Sequence, residues 1–298
     1  MKKIVLLLFG AMLALGVRAQ NYTKGEWRVD SVVTTTVGGK FVSREICKYN
    51  DKGLLSEIDG QEDSGSGVLN TKALYTYNDQ GMTATQELYN QSGSDWVLLS
   101  KSVVTEYDSS NGMPKVIEST GSALTDQLLS GLTGSGEVKS KTVVTKWHGY
   151  QVEEEEVYMW LGGDWQKNAT TVSTFNSADQ MTKMVTTMSY MGYELTTEVA
   201  YEYDSHGTIT KETTTSMGTT SVASYANEYD ANDNLVKVTT DERIINYYWS
   251  RGGGTAGLSR IRTSEGLSQW FDLNGRRLGG KPTKQGVYIR DGKKYIVK

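Results

Sequence analysis

The sequence has few residues that form disulfide bonds or kink the backbone, and it has few long apolar runs. It contains one cysteine and two prolines in 298 residues. After the first 19 residues no apolar run approaches the ~20 residues of a membrane-spanning helix, so no transmembrane segment is expected in the mature chain. One cysteine excludes an internal disulfide framework. Cys47 lies at even spacing from Tyr49 on a predicted strand, which favours a packed core thiol.

Catalytic signatures are also missing. The sequence has no Gly-x-Ser-x-Gly elbow, no His-Glu-x-x-His pair, no Cys-x-x-Cys and no phosphate-binding loop. His148 and His206 both fall in predicted turns, where a solvated histidine is the ordinary case and a general base or metal ligand is the alternative. We therefore expect no enzyme, no cofactor and no metal site, with a carboxylate-dependent hydrolase as the remote alternative.

Glycine, hydroxyl side chains and aromatic residues are abundant instead. The 32 glycines suit many turns, and the segments between them alternate Thr or Ser with Val or Tyr. Such alternation is typical of antiparallel strands with one wet face. Charge is uneven, because residues 276–298 carry net +7 whereas residues 20–275 carry net −14. An acidic main body argues against nucleic acid as a partner.

One motif recurs along most of the chain: an aromatic residue, then Asp or Asn, then usually a Gly a few residues later. The separations between successive aromatic residues are 28, 30, 40, 28, 28 and 26, for Tyr49, Tyr77, Tyr107, Trp147, Phe175, Tyr203 and Tyr229. The motif predicts a strand end, a turn capped by the Asp or Asn side chain, and a glycine with positive φ. At Asp179 and Asn234 another residue stands where Gly is expected. Separations of this size indicate a repeat architecture.

A second signal lies between these turns, where Gly is followed closely by an aromatic residue: Gly25–Trp27, Gly93–Trp96, Gly163–Trp165 and Gly192–Tyr193. We predict an all-β fold, an antiparallel meander of repeated β-hairpins with about 14 strands in an elongated or curled sheet, plus a small C-terminal β module. The one long interval contains an insertion, Ser119–Lys139. A short helix is predicted there from Ser122 to Leu129, as a lid over a sheet edge or as a partner-docking helix.

The segments Tyr201–Asp204 with Thr210–Lys211, and Glu228–Asp230 with Leu235–Val238, resemble YD-repeats of the Rhs and teneurin type. The resemblance covers about residues 49–240. It implies the β-hairpin repeats of secreted and surface proteins, which family members coil into large shells. We take hairpin repetition from it and not encapsulation, because this chain has too few repeats to close a large shell.

Both ends of the chain carry segments that resemble export or sorting signals. Residues 1–19 match a secretory signal peptide, with Lys2 and Lys3, an apolar run from Ile4 to Leu15 and a small-residue cleavage site at Val17–Ala19. We predict a β-hairpin repeat domain over residues 20–250, a Gly-rich linker over residues 251–260 and a C-terminal β module over residues 261–298.

The C-terminal module contains Asp272–Arg277 (DLNGRR), Gly286–Ile289 (GVYI) and a basic final strand. These features resemble the C-terminal sorting domain of the type IX secretion system. The resemblance implies contact with an export machinery, and a β-cap that closes the repeat array is the other reading. We expect an exported protein, extracellular or on the outer cell surface, with the periplasm as the alternative.

Aromatic side chains are the candidate ligand site. Tyr75 and Tyr77 share one strand face, as do Tyr201 and Tyr203, and repetition would stack such pairs into a ladder. Cross-strand packing explains a ladder by itself, whereas exposed rings could stack on sugar rings or on a partner's aromatic surface. The predicted ligand-stacking residues are Tyr75, Tyr77, Tyr201, Tyr203, Trp96 and Trp165.

Acidic groups offer two further hypotheses. The run Glu153–Glu156 places carboxylates on both faces of a strand, which predicts a sheet edge protected from aggregation, with a calcium site as the alternative. Asp230, Asn232, Asn234 and Asp241 loosely imitate a calcium loop. Leu235 replaces the glycine that such a loop needs, which favours an ordinary hairpin turn.

These features predict an exported, non-catalytic β-repeat protein that acts as a binding or structural scaffold at the cell envelope or outside it. Its expected partners are a surface glycan or an envelope protein, together with the export machinery. A glycan-binding accessory protein that uses exposed Tyr and Trp is the alternative.

Overall fold

A computed structural model describes residues 23–24, 27–121, 138–161, 163–190, 193–251, 270–272, 277–278, 282, 286–290 and 293–297. The chain divides into two compact units, residues 1–253 and residues 254–298. The signal peptide predicted at residues 1–19 and the helix predicted between Ser122 and Leu129 lie outside the described residues. So does nearly all of the predicted linker.

The described part of the first unit consists of strands and turns. Its strands are β1 (Thr23–Lys24), β2 (Trp27–Thr36), β3 (Phe41–Tyr49), β4 (Leu55–Asp63), β5 (Val68–Tyr77), β6 (Thr83–Ser92), β7 (Asp95–Tyr107), β8 (Pro114–Gly121), β9 (Val138–His148), β10 (Gln151–Leu161), β11 (Asp164–Phe175), β12 (Met181–Tyr190), β13 (Tyr193–Tyr203), β14 (Ile209–Ser216), β15 (Thr219–Ser224), β16 (Ala226–Tyr229), β17 (Leu235–Thr239) and β18 (Arg243–Arg251). Within the described residues, no helix is long and apolar enough to cross a membrane.

These strands form one antiparallel meander that curls until its ends meet. From β2 onward the strands pair with their sequence neighbours, and β18 pairs back onto β2 from Arg243 opposite Thr36 to Arg251 opposite Trp27. β15 and β16 follow one path, interrupted at Tyr225, whose backbone amide donates to the carbonyl of Thr210. The predicted all-β hairpin meander is confirmed, and of its two predicted forms the curled sheet is the one present.

One stretch predicted as a loop is a strand. The Gly-, Ser- and acid-rich composition of residues 59–67 predicts a surface loop after a short strand at Leu54–Ile58, but β4 continues to Asp63 and pairs on both sides, with β3 and with β5. Its acidic residues are accommodated because Asp59 forms an ion pair with Lys48 at 2.7 Å. Only the four residues between β4 and β5 form the turn.

The two faces of the closed sheet differ in chemistry. Residues that are directly opposite in antiparallel strands share a face, and on this basis the buried mid-strand residues all lie on one face, which is the inner one. The inner face is apolar at β2–β5 and β18, around Val29, Val32, Cys47 and Ile58. Elsewhere it carries hydroxyl pairs such as Ser102 with Ser119 at 2.7 Å. Cys47, predicted to be a core thiol, is fully buried there.

The outer face carries lysine–glutamate pairs between neighbouring strands. Lys183 with Glu198, Lys211 with Glu202 and Lys237 with Glu228 lie 2.6–2.7 Å apart. Each pair adds little stability, because exposed ion pairs are well solvated. Their placement nevertheless shows which face meets water.

Alternate turns of a meander lie at opposite edges of its sheet. The turns before β4, β6, β8, β10, β12, β14 and β17 form one edge, here named the Asx rim because most of them begin with Asp or Asn. The described turns before β3, β5, β7, β11, β15 and β18, together with the paired strand ends at Tyr190 and Tyr193, form the opposite edge, here named the Gly rim.

The second unit contains a small antiparallel sheet in its described residues. Its strands are β19 (Trp270–Asp272), β20 (Arg277–Leu278), β21 (Gly286–Arg290) and β22 (Lys293–Val297), in the order β20-β19-β21-β22. β21 and β22 form a hairpin that pairs Gly286 with Val297 and Arg290 with Lys293. A role for this unit in sorting stays a prediction.

Candidate functional site

The Asx turns form as their local chemistry predicts. In five of them, the side-chain oxygen of the first residue accepts hydrogen bonds from backbone amides two and four positions later, as when Asn78 accepts from Gln80 at 3.0 Å and Met82 at 2.9 Å. In the longer turn at Asp108 the donors are the amides two and three positions later. The glycine before the next strand then adopts positive φ, for example 80° at Gly81 and 80° at Gly207. The candidate calcium loop at Asp230 is another such turn, because its carboxylate accepts from the amides of Asn232 and Asn234.

In the last Asx turn, the predicted position of the residue that replaces glycine is wrong by one. Asn234 was expected to replace the turn glycine, but the residue with positive φ is Asp233, at 58°. The other replacement, Asp179, is as predicted, with φ of 56°. Asn and Asp tolerate this conformation better than most residues, so both turns keep their shape without glycine.

Tyrosine hydroxyls tie consecutive Asx turns together. The tyrosine at the end of a strand donates to the backbone carbonyl at or near the start of the preceding strand, which lies at the same rim. The donors and acceptors are Tyr49 to Val29 at 2.7 Å, Tyr77 to Leu55 at 2.5 Å, Tyr107 to Thr83 at 2.9 Å and Tyr203 to Met181 at 2.6 Å. Burial raises the pKa of Tyr77 and of Tyr201 to about 12.

The two histidines also join neighbouring Asx turns. His148 stacks on Phe175 with ring centroids 4.5 Å apart, and its Nε2 lies 2.9 Å from Asp179 Oδ1. His206 stacks on Tyr229 at 4.0 Å, with Nε2 3.7 Å from Asp233 Oδ1. The two turns that lack glycine are therefore the two whose substituting aspartate faces a histidine of the preceding turn.

Asp204 makes the most connections at the Asx rim. Its Oδ1 accepts from the amides of His206 and Thr208, and its Oδ2 accepts from Tyr229 Oη at 2.6 Å and Asn227 Nδ2 at 3.0 Å. Partial burial alone would raise the pKa of Asp204, but the hydrogen bonds from Tyr229, Asn227 and the two amides together lower it to about 2.

We expect Asp204→Ala to lower the free energy of unfolding by about 2 kcal/mol at pH 7, because it leaves Tyr229 and Asn227 without their acceptor. Asp204→Asn is the matched control. It preserves the turn cap, as Asn does in three sister turns, and should cost roughly half as much. Since the folded-state pKa lies below the usual 3.8, the stabilisation by Asp204 is present above about pH 4 and is lost as the pH falls toward 2. Urea unfolding at pH 7 and pH 3 checks both statements. Because the side-chain nitrogen that Asp204→Asn introduces is a donor and cannot accept from Tyr229 and Asn227, an Asp204→Asn variant as stable as the unmodified protein would contradict the cross-turn role.

The structure separates the predicted stacking residues into two groups. Tyr75, Tyr77, Tyr201 and Tyr203 lie on the inner face, where Tyr75 is 6% exposed and the others are partly buried. Trp96 and Trp165 lie on the outer face beside the Gly rim, and Trp96 is 40% exposed. Stacking on a ligand stays a prediction for all six, and the two tryptophans are the better placed.

The glutamate run is not at a sheet edge. β10 pairs with β9 on one side and with β11 on the other, so no open edge exists there to protect. The predicted alternation is present: Glu155 points inward and is 6% exposed, whereas Glu156 points outward to Lys167 at 3.0 Å. The two partners of β10 are the strands directly before and after it in the meander, so the composition of residues 153–156 alone misled the prediction of an edge.

Exposed apolar side chains are concentrated at the Gly rim. Among the described residues, eleven of the fourteen large apolar side chains that are exposed lie at this rim or within four residues of its turns: Val37, Phe41, Val68, Leu69, Trp96, Val97, Leu98, Trp160, Tyr193, Met217 and Val222. The Asx rim has one, Tyr150. Because contiguous exposed apolar surface marks binding sites, the Gly rim is the candidate functional surface.

An aromatic and charged cluster on the outer face adjoins this rim at β5–β7; we name it cluster 1. The ammonium group of Lys72 lies 4.7 Å from the ring centroid of Trp96. Tyr89, directly opposite Lys72, donates to Glu87 at 2.6 Å, and Lys101 pairs with the same carboxylate at 2.8 Å. The hydrogen bonds from Lys101 and Tyr89 lower the pKa of Glu87.

The same arrangement recurs at β9–β11; we name it cluster 2. Lys141 lies 4.7 Å from the ring centroid of Trp165 and 5.1 Å from that of Tyr158. Tyr158, directly opposite Lys141, donates to Glu156 at 2.5 Å, and Lys167 pairs with Glu156 at 3.0 Å. The hydrogen bonds from Tyr158 and Lys167 lower the pKa of Glu156.

A pattern in the sequence could have revealed the two clusters. In each, Glu-x-Tyr precedes a turn glycine and then Asp-Trp, at Glu87–Trp96 and at Glu156–Trp165. Each lysine that covers a tryptophan lies on the strand before the one that carries Glu-x-Tyr. Its position beside the tryptophan therefore depends on cross-strand register. Cluster 2 also has Trp160, which packs edge-on to Trp165 at 5.2 Å.

One half-open depression of about 160 Å³ lies beside Gly60, with Arg44, Glu45, Glu62 and Arg243 in its wall. Typical ligand pockets measure roughly 300–1,000 Å³. In the part of the chain that the structure describes, no group of three or more His, Cys, Asp or Glu side chains is arranged to hold a metal ion.

No protein-family model matches this sequence, and no curated protein matches it significantly. A porin-like protein from Bacteroides uniformis is similar in structure, with a TM-score of 0.45 and 10% identity over 74% of this chain and 96% of that one. TcdB2-TccC3 without its hypervariable C-terminal region has a TM-score of 0.23 and 12% identity over 72% of this chain. This chain spans 13% of the length of the latter. With TM-scores below 0.5, neither likeness bears on function.

Proposed function

We propose that this chain is an exported, non-catalytic β-repeat protein that acts as a binding and structural scaffold at the cell envelope or outside it. The contrast between the two rims of the closed sheet carries the proposal. At the Asx rim, carboxylates, amides and hydroxyls bond one another from turn to turn, whereas the Gly rim displays exposed aromatic and aliphatic side chains. A rigid closed sheet with one such rim suits the presentation of a surface to a partner.

Export and address are part of the proposal. They are supported by the sequence of residues 1–19 and by the basic segment at the C-terminus. Cells that express the full chain, and cells that express the chain without residues 268–298, should be fractionated and probed with an antibody. We expect the full chain outside the cytoplasm and a changed distribution after truncation. Retention of the full chain in the cytoplasm would contradict the proposal.

A second candidate is glycan binding through the outer aromatic residues. Clusters 1 and 2 support it, because each holds an indole ring beside hydrogen-bonding groups, and indole rings stack well on the apolar faces of sugars. In each cluster an ionised glutamate accepts a hydrogen bond from the tyrosine and so holds its ring in place. A lysine ammonium group lies against the tryptophan ring.

We expect Trp96→Ala and Trp165→Ala each to weaken glycan binding by at least about tenfold, roughly 1.4 kcal/mol of binding free energy. A glycan array followed by tryptophan-fluorescence titration provides the measurement. Tyr150→Ala is the control, because Tyr150 is 70% exposed but lies at the Asx rim. Absence of any glycan binding by the unmodified protein in both assays would end this candidate.

A further inference from the structure

We propose that clusters 1 and 2 are two subsites for one acidic glycan, a polymer that contains uronate residues, and that cluster 2 is the stronger of the two. The inference rests on the glycan-binding candidate above and adds the ligand class and the place of each contact.

The first step is the duplication. In both clusters a lysine lies directly opposite a tyrosine of the next strand, and that tyrosine donates a hydrogen bond to a glutamate. The lysine ammonium group lies 4.7 Å from the ring centroid of a tryptophan on the strand after the tyrosine. Two similar sites on one outer face suit a ligand that itself repeats. Trp96 lies on β7 and Trp165 on β11, four strands apart, which is about 19 Å along the sheet. A polysaccharide segment spans such a distance, and engaging both sites at once would add avidity.

The second step concerns charge. Residues 20–275 carry net −14, so a cation beside a partly exposed aromatic ring is notable on this surface. Lys141 contacts the rings of Trp165 and Tyr158, and within the described residues no carboxylate lies at ion-pairing distance from it. A charge-assisted bond from Lys141 is therefore available to a ligand.

The third step is the combination of groups. A uronate sugar presents a carboxylate at one edge and an apolar C–H face on its ring. The carboxylate suits a lysine, and the C–H face suits an adjacent indole ring. A neutral sugar leaves Lys141 unused, and an acidic peptide lacks the flat apolar ring. The arrangement of Lys141, Tyr158 and Trp165 thus favours the acidic glycan.

The fourth step ranks the two sites. Lys72 of cluster 1 already approaches Glu57 at 3.5 Å and Asp59 at 4.0 Å. These carboxylates partly satisfy its charge and repel a ligand carboxylate. Lys141 of cluster 2 has no carboxylate at ion-pairing distance among the described residues, with Glu118 of β8 directly opposite it but not paired to it. Cluster 2 should therefore contribute more to affinity.

The test uses the full chain and a matched pair of probes, a 1,4-linked galacturonate oligomer and the same oligomer with its carboxyl groups reduced to alcohols. Binding is measured by isothermal titration calorimetry. We expect the acidic oligomer to bind at least about tenfold more tightly than the reduced one. Lys141→Met should remove most of that difference, and Lys72→Met should remove less. Lys211→Met, at a lysine that pairs with Glu202 on the same face, should change nothing.

Each outcome decides a separate point. Equal binding of the acidic and reduced oligomers would overturn the acidic-ligand inference and leave glycan binding in place. No binding of either oligomer or of any array glycan would end both. Tight acidic binding that survives Lys141→Met and Trp165→Ala would place the site elsewhere. Equal affinity for poly-glutamate would show general polyanion binding and overturn the choice of a glycan.

Discussion

Glu155→Gln is expected to raise the free energy of unfolding at pH 8 by about 3 kcal/mol and to change it little at pH 4. Glu155 is 6% exposed on the inner face, opposite the buried residues Val144 and Thr171. Burial raises its pKa from the usual 4.5 to about 7. Because the folded state binds this proton more tightly than the unfolded state, stability is greatest below about pH 4.5 and falls as the pH rises through 7.

Thermal or urea unfolding across pH 4–8 measures this effect. Glutamine has the shape of a neutral glutamate and does not titrate, so the variant should lose most of the downward slope between pH 4.5 and 7. Glu156→Gln is the control on the same strand, since that carboxylate faces outward to Lys167 and Tyr158. If Glu155→Gln and Glu156→Gln had the same pH profile, the buried position of Glu155 would be refuted.

The second large effect is expected at the apolar part of the inner face. Leu55 is 2% exposed and packs in the core cluster that contains Val29, Cys47 and Ile58. Leu55→Ala should lower the free energy of unfolding by about 3 kcal/mol, because it deletes buried methyl groups and leaves a cavity. Chemical denaturation with fluorescence detection provides the value.

Leu54→Ala is a control of the same residue type one position earlier. Leu54 belongs to the turn, is only partly buried and lies against Gly81 of the next turn. Its truncation should cost less than about 1 kcal/mol. If the two variants lost similar free energies of unfolding, the apolar core would have to include Leu54 as well as Leu55.

The repeat and its turns were predictable because their causes are local. Asp or Asn caps its own turn within four residues, as Asp204 does through the amides of His206 and Thr208. A glycine with positive φ follows within the same few residues, as at Gly207. Alternation of small polar and apolar residues then sets each strand. The predicted hairpin meander needed no more information than this.

Two of the errors concern how a strand pairs with its neighbours. Asp59–Asp63 was assigned to a loop because its acidic residues looked unsuited to a strand, but β3 supplies Lys48 to Asp59. The glutamate run was placed at an edge because nothing in residues 153–156 shows that β9 and β11 pair on both sides. The position of Asp233 was a local error: the residue with positive φ lies four positions after the aromatic residue, as at Gly81 and Gly207, and the same count from Tyr229 gives Asp233.

In the candidate site, too, some residues were predictable from sequence and others were not. Trp96 and Trp165 were chosen from sequence because they follow turn glycines. Their grouping with Lys72 and Lys141 was not visible, because each lysine reaches its tryptophan across an intervening strand. Only the register of three paired strands brings these side chains together.

The sequence by itself determined the unit of construction, a two-stranded ribbon with a capped Asx turn, since that unit depends on residues within a few positions of one another. The tertiary structure decided that β18 returns to β2, and with it which face is inner and which tryptophans reach solvent. Sheet closure sums the twist and register of every strand pair, and no short segment of sequence carries that sum.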